Sequence, residues 1–501
     1  MRARESSGSP WLFLLAACAA ACGSAGGGSA APARASATSS PPAPPAETSV
    51  PATAPATAGG PAGPRRARIT FIEDDYPRAL AEARKAHRPL FIDAWAAWCH
   101  TCVSMRSYVF PDPKLLVVAD DFVWASIDTE RPENARWVET HPMTSWPTLW
   151  VIDPETESVI LKWSNSATAD ELVPLLAGVS SADAREPRDA RGSRGAHGDA
   201  DAEASRALLR GTQATAAGKT DEAIAAYRAA LAAASPGWGR RPNTVEALMD
   251  RLRAKKDDAS CAALAEAELP RLAGGTSRAT TSLMGLECAS RLPPGDATRR
   301  TTAAIEETMR AMALDPGQPI LADDRSGLFE ALVEARTDAK HRAEAKELSA
   351  AWATFLEREA TQAETPAARA VFDAHRLLAY LAIGAPERAV PMLEASERDF
   401  PADYNPPARL ARAYQAMHRP ADAIAANDRA IQRAYGPRML RLYALKADIL
   451  AERGGPGDAA AARATVNEAL ARTRDLHVTG SYAKLRLELQ ARAAAPQARA
   501  R

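Results

Sequence analysis

Pro89-Leu90-Phe91-Ile92-Asp93-Ala94-Trp95-Ala96-Ala97-Trp98-Cys99-His100-Thr101-Cys102 is the stretch on which the reading of this chain turns. Its first seven residues form an apolar run that reads as a buried strand. Two cysteines follow at C-x-x-C spacing at a strand-to-helix junction, the mark of a dithiol redox centre. If Cys99 opens a helix, Cys102 lies one turn on, so one face carries both sulfurs close enough to bond. Cys99 then also sits among unpaired backbone N–H groups at the positive end of the helix dipole. Both effects favour thiolate over thiol and make Cys99 the attacking sulfur. A structural zinc needs four ligands, usually two such pairs. No second C-x-x-C and no neighbouring Cys/His cluster stands in the sequence, so no metal is expected, and no cofactor beyond the Cys99–Cys102 pair itself.

The 501 residues argue for two or more domains. The 62 basic and 62 acidic side chains balance, which argues against nucleic acid as a partner. Trp95, Trp98, Trp124, Trp137, Trp146, Trp150 and Trp163 cluster in one central segment, while the rest of the chain is rich in Ala, Leu and Arg. Two kinds of core are implied.

Arg2 and Arg4 precede a short apolar run, 11–17, too short to span a bilayer and readable as a signal peptide. The run ends in Leu15-Ala16-Ala17-Cys18, which resembles the bacterial lipoprotein signal, whose cysteine is lipidated. Ala19-Ala20-Ala21-Cys22 is the poorer second choice. The resemblance implies an envelope protein held to a membrane by its N-terminal lipid and facing the periplasm or the exterior. Residues 23–64 are Ala, Pro, Ser, Thr and Gly with Arg34 and Glu47 as the only charges, and read as a disordered tether after a 1–22 signal.

Across 65–183, pattern and punctuation give strands at 69–72, 89–95, 122–127, 148–152 and 159–163. Helices are expected at 76–87, 99–108, 133–139 and 170–176, with a further helical turn or two at 113–119. Strands alternating with helices and then a hairpin describe an α/β sandwich with a mixed sheet. Four pieces in register resemble the thioredoxin fold. They are Phe91-Ile92-Asp93-Ala94-Trp95, Trp98-Cys99-His100-Thr101-Cys102, Ser126-Ile127-Asp128 and Trp146-Pro147-Thr148. Within that superfamily the segment is most similar to the periplasmic thiol:disulfide interchange domains of the DsbD type, which share the Tyr108-Val109-Phe110-Pro111-Asp112-Pro113 kind of sequence.

The resemblance implies roles. Cys99 attacks a client disulfide and Cys102 resolves the mixed disulfide. A buried Asp93 with a raised pKa accepts the Cys102 proton; the plainer alternative is a strand-end carboxylate facing water. Pro147, with Trp146 before it, matches the cis-proline whose preceding backbone pairs with substrate, against a trans proline that merely starts a strand. Trp98 shields the site or is an ordinary core tryptophan. His100 and Thr101 tune the redox character if the His100 ring stands beside Cys99, and do little if it faces solvent. Trp124 stands two before Ser126, where many thioredoxins carry a lysine that pairs with the buried acid, so that pairing is in doubt.

Residues 184–202 read as a charged linker and 203–501 as helical throughout. Tyr380 and Tyr414 are 34 residues apart, as are Ala389 and Ala423, a period and residue choice that match tetratricopeptide repeats. Gly218-Lys219-Thr220-Asp221-Glu222-Ala223 with Tyr227 and Ala230 fits the same template, and Asp458-Ala459 echoes Asp422-Ala423. Between about 240 and 365 the match is poor. Cys261 and Cys288 lie equally far on either side of Gly274-Gly275, so an antiparallel hairpin would set them level, as a structural disulfide or as two buried thiols.

The function these features support is thiol:disulfide exchange on protein clients outside the cytoplasm. The helical repeats would bind a partner or client, and a membrane electron donor would be needed for reduction. The alternative is an envelope scaffold in which the α/β domain is a binding or redox-sensing module.

Overall fold

The apolar run before the cysteines is β2 (Leu90–Trp95), buried in all but its last residue, and it lies at the centre of a five-stranded sheet of order β1-β3-β2-β4-β5. The computed structural model describes residues 68–180 and 196–494. Cys18, Cys22, the tether and residues 181–195 of the linker region lie outside the described residues. β1 (Ile72–Glu73) and β3 (Val123–Asp128) run parallel to β2, whereas β4 (Thr148–Ile152) is antiparallel to it and forms a hairpin with β5 (Val159–Ser164). The first strand is shorter and later than the 69–72 expected from hydropathy. Phe71 instead packs its ring against Phe110 and Trp124.

Helices cover both faces. α1 (Tyr76–Ala86) starts where the Asp75 carboxylate accepts the Arg78 N–H and ends at His87 in the left-handed conformation. With α3 (Ala135–Thr140) it covers Ile92 and Ala94 through Leu80, Ala83 and Trp137. The other face carries Phe91, which packs with Met105, Val109, Trp124 and Leu172 beneath α4 (Ala169–Ser180). Side chains alternate along a strand, so Asp93 points to the Phe91 side, into this second core.

The expected helix 99–108 divides in two. α2 (His100–Ser104) is α-helical, and Met105–Val109 continues as one π turn closed by the Phe110 N–H on the Met105 carbonyl at 2.9 Å. The expected helical turns at 113–119 are two 3-10 turns, Pro113–Val117 and Ala119–Asp121.

The second region is a chain of antiparallel helices. Its first half comprises α5 (Ala196–Ala216), α6 (Thr220–Ala233), α7 (Arg241–Ala254), α8 (Asp258–Glu268), α9 (Thr276–Ser290), α10 (Asp296–Leu314), α11 (Ala322–Asp338) and α12 (Arg342–Gln362). α13 (Pro366–Ala370), α14 (Asp373–Ala382), α15 (Ala389–Asp399), α16 (Asn405–Ala416), α17 (Pro420–Arg433), α18 (Arg438–Arg453), α19 (Asp458–Arg472) and α20 (Gly480–Ala494) follow. α5 begins inside the stretch expected as linker up to 202. The polar residues at 196–203 concealed that start, and Ala204, Ala207 and Leu208 pack into the helical core where helix was expected. The poorly matching middle, 240–365, is helical with short turns, so its departure lies in residue choice rather than in architecture. Ala389 and Ala423 are both fully buried, as small residues must be where one helix lies close on the next. Cys261 on α8 and Cys288 on α9 are joined as a disulfide with Cα atoms 6.0 Å apart. No described helix is long and apolar enough to cross a membrane.

The helical array wraps the α/β domain. The Glu171 carboxylate on α4 accepts the Ser277 N–H at the start of α9, and Ser166 donates to Asp324 on α11, which also accepts from Thr276. Gly436, between α17 and α18, has φ +61°, and a Cβ there would lie 2.2 Å from the Glu130 carbonyl oxygen. Glycine is what allows the two backbones this approach.

Candidate active site

Cys99 caps α2 rather than being its first residue: its backbone is extended (φ −80°, ψ 100°) and its sulfur accepts the Cys102 N–H at 3.0 Å. That is the N-cap arrangement, with sulfur in place of the usual side-chain oxygen, and it directs backbone N–H at the sulfur that must carry charge. The Cys99–Cys102 pair is a disulfide with Cα atoms 5.2 Å apart. Both residues are buried, Cys99 4% exposed and Cys102 not at all, in a small cluster with Ala96 bordered by Trp95, Trp98 and Trp146. Trp98 and Trp146 rings lie 5.5 Å apart, and the Trp146 Nε1–H donates to the Thr129 hydroxyl. The Trp146–Pro147 peptide bond is cis.

Asp93 is fully buried, and neither carboxylate oxygen has a hydrogen-bond partner among the described residues. Burial pushes its pKa up from 3.8 to about 7, partly opposed by Arg106. The Arg106 Nη1 stands 3.9 Å from the Asp93 carboxylate while the same guanidinium donates to the Ser126 hydroxyl at 2.5 Å and to Glu73 at 2.8 Å, above the Trp95 ring. The cation that the sequence lacks at Trp124 is therefore supplied from the π turn after the cysteines. Trp124 is level with Phe91 in the sheet, and its ring lies tilted against the Phe91 ring at 4.4 Å.

The array closes over both flanks of the motif. On the Trp98 side, one oxygen of buried Glu130 accepts from Trp98 Nε1 and the Tyr482 hydroxyl, both at 2.6 Å, and the Arg438 guanidinium lies over the Trp98 ring. Burial raises the Glu130 pKa to about 6 against these donors. The Tyr435 hydroxyl donates to Asp128 at 2.5 Å, and Asn405 donates to the Ala97 carbonyl at 2.9 Å. Trp98 is thus both a wall of the dithiol and a docking residue.

On the other side the His100 ring, partly exposed, reaches the helical array. Its Nδ1 lies 2.8 Å from Asp323 on α11 and 3.1 Å from His375 Nε2 on α14; Thr101 Oγ1 is 3.3 Å from the same nitrogen. His375 and Asp323 are buried. Burial alone would favour their neutral forms. The ion pairing prevails: His100 and His375 hold Asp323 well below the usual carboxylate range, and Asp323 with Glu330 lifts His375 to about 9. Cysteine spacing does not reveal a His–Asp–His group drawn from three distant segments. Sequence reading also missed Arg106, Asp128 and Glu130. The one available signal was Asp323-Asp324 at a helix start, where acids are ordinary.

Residues 71–154 match a family model described as thioredoxin-like. This part of the chain is a thioredoxin-like domain. It is 26% identical over 88 residues to a thiol:disulfide interchange protein DsbD of Pseudoalteromonas atlantica, an alignment covering 17% of this chain and 15% of that protein. The helical array aligns with a tetratricopeptide repeat protein from Parabacteroides merdae at 10% identity, covering 57% of this chain and 99% of that one, with a TM-score of 0.37. A complex of the TPR2AB domain of yeast Sti1 with pHSP90 aligns at 16% identity over 58% and 98% of the two chains, TM-score 0.21. Both scores are low, and the helical description above stands on the helix pairs themselves. The thioredoxin-like domain carries the C-x-x-C cysteines, joined as a disulfide.

Proposed function

We propose that the chain is a thiol:disulfide oxidoreductase of the bacterial cell envelope, lipid-anchored through Cys18, whose helical array binds a protein client or partner. The observation that carries this reading is the Cys99–Cys102 pair itself: Cys99 capping α2 with its sulfur on the Cys102 N–H, in a domain whose buried Asp93 carboxylate makes no hydrogen bond among the described residues. In the reduced enzyme the Cys99 thiolate attacks a client disulfide, one client sulfur leaves as thiolate, and a mixed disulfide forms. Cys102 gives its proton to Asp93 and attacks the Cys99 sulfur, which restores the Cys99–Cys102 disulfide and releases the client as a dithiol. An external protein dithiol, supplied from a membrane donor, returns two electrons for the next cycle. Trp98 and Trp146 border the cysteines, and the cis Trp146–Pro147 bond follows, where a client backbone would pair once the array moves aside.

The test is dithiothreitol-driven reduction of insulin by residues 65–501, with Cys99→Ser as control. Turnover lost in the variant supports a working dithiol. Equal slow rates in both would move the weight to the second reading, a redox-sensing or binding module, which near-complete burial of both sulfurs beneath the array favours.

A further inference from the structure

The strongest unused feature is the triangle formed by His100 Nδ1, Asp323 Oδ1 and His375 Nε2, with sides of 2.8, 3.1 and 3.1 Å. These three residues are the one group among the described residues whose ligand atoms all converge as a metal site requires. Hydrogen bonds alone satisfy it poorly. Asp323 can accept from both rings, since its Oδ2 also lies 3.1 Å from His100 Nδ1, but the two ring nitrogens face each other at 3.1 Å: if both carry hydrogens these oppose one another, and if either does not, one contact to the carboxylate lacks a proton. A cation uses all three lone pairs at once. Ligand atoms at zinc–nitrogen lengths of 2.0–2.1 Å in tetrahedral array lie about 3.3 Å from one another, a few tenths of an ångström wider than these.

The surroundings are those of a ligand set. His375 Nδ1 is buried without a hydrogen bond, and Glu330 Oε2 lies 3.6 Å from it, the place of the carboxylate that orients a metal-bound histidine. The His375 ring is further fixed edge-on to Trp352, itself held by a hydrogen bond to Ser326. His100, with its side chain 36% exposed, leaves one side open to water, which gives an entry path and a fourth position. Two imidazoles and a carboxylate suit zinc and its first-row neighbours rather than calcium or magnesium.

We propose that His100, Asp323 and His375 bind one divalent transition-metal ion of the zinc class, with Glu330 orienting His375 and solvent at the fourth position. The ion joins the thioredoxin-like domain to α11 and α14 at the residue after Cys99, so it pins the array over the dithiol. The proposal does not depend on catalysis by the cysteines.

Equilibrium dialysis of the full chain, disulfides intact and free thiols alkylated, against Zn²⁺ tests it, with Co²⁺ as the spectroscopic probe. One ion per chain is expected, with visible Co²⁺ bands and no thiolate charge-transfer band. Glu330→Gln should weaken binding about tenfold, and His100→Gln, at the partly exposed ligand, by 100-fold or more, with metal-free circular dichroism unchanged. A His375→Gln variant that fails to fold leaves the His100 comparison decisive. Sub-stoichiometric binding to the wild type, equal affinity in His100→Gln, or a thiolate signature on Co²⁺ would each overturn the assignment.

Discussion

Replacing Asp93 by Asn removes a titrating group whose ionisation the fold opposes, and the size of the effect can be worked out. Asp93 is fully buried with no hydrogen-bond partner, and its pKa rises from 3.8 to about 7, chiefly by burial. At 1.36 kcal/mol per unit this is about 4 kcal/mol of differential stability between its two forms. The folded pKa is raised, so the favourable contribution is complete below the unfolded pKa and disappears as pH climbs through the folded one. Wild-type stability should therefore fall between about pH 4 and pH 7 on account of this residue and level off above. Asn does not titrate, and the fixed cost of burying its amide is the same at every pH. The stability difference, variant minus wild type, should rise by about 2.5 kcal/mol between pH 5 and pH 8.5. Urea unfolding of the oxidised proteins, followed by tryptophan fluorescence at both pH values, measures it. A difference independent of pH would refute the idea that Asp93 is a carboxyl poised near neutrality, and with it its use as the Cys102 base.

Other expectations follow from the same geometry. In turnover, Asp93→Asn should slow release of client from the mixed disulfide about 100-fold or more at pH 7, seen by quenched-flow trapping of the adduct. Arg106→Gln deletes the cation 3.9 Å from Asp93, so the pH at which the resolving step reaches half its maximum should move upward by roughly one unit in a stopped-flow pH series. Gly436→Ala forces a Cβ against the Glu130 carbonyl at a positive φ, costing about 1–3 kcal/mol of docking. The reduced variant should alkylate at Cys99 about tenfold faster than wild type, read by mass spectrometry. Removing the Cys261–Cys288 bond with paired serines opens a loop of sequence separation 27 and should cost the helical array about 3–4 kcal/mol in denaturant unfolding followed by circular dichroism.

What could be read in the sequence was what local chemistry and period encode. The Phe91-to-Cys102 register placed the dithiol at the end of a buried strand, and the apolar residues around Asp93 pointed to a buried acid, against the alternative of a strand-end carboxylate facing water. The 34-residue spacing of Tyr380 and Tyr414 pointed to stacked helix pairs. The docking was not legible, because the residues that make it have ordinary local roles. Arg106 looks like a solvated helix residue, Asp323 like a first-turn acid, Gly436 like a turn glycine. Each acquires its function only through a partner in another segment, and no period or spacing carries that. Helix α5 begins at Ala196, before the expected end of the linker at 202, because the polar residues at 196–203 carry no apolar period to mark it.

The most direct test of the dithiol chemistry is to trap its intermediate. A reduced Cys102→Ser chain exposed to glutathione disulfide should hold one glutathione on Cys99, mapped by peptide mass spectrometry and released by dithiothreitol. Under the same conditions Cys99→Ser should acquire little at Cys102. An adduct on Cys102 at equal rate, or none at Cys99 while the protein stays folded, would contradict the assignment of Cys99 as the attacking sulfur.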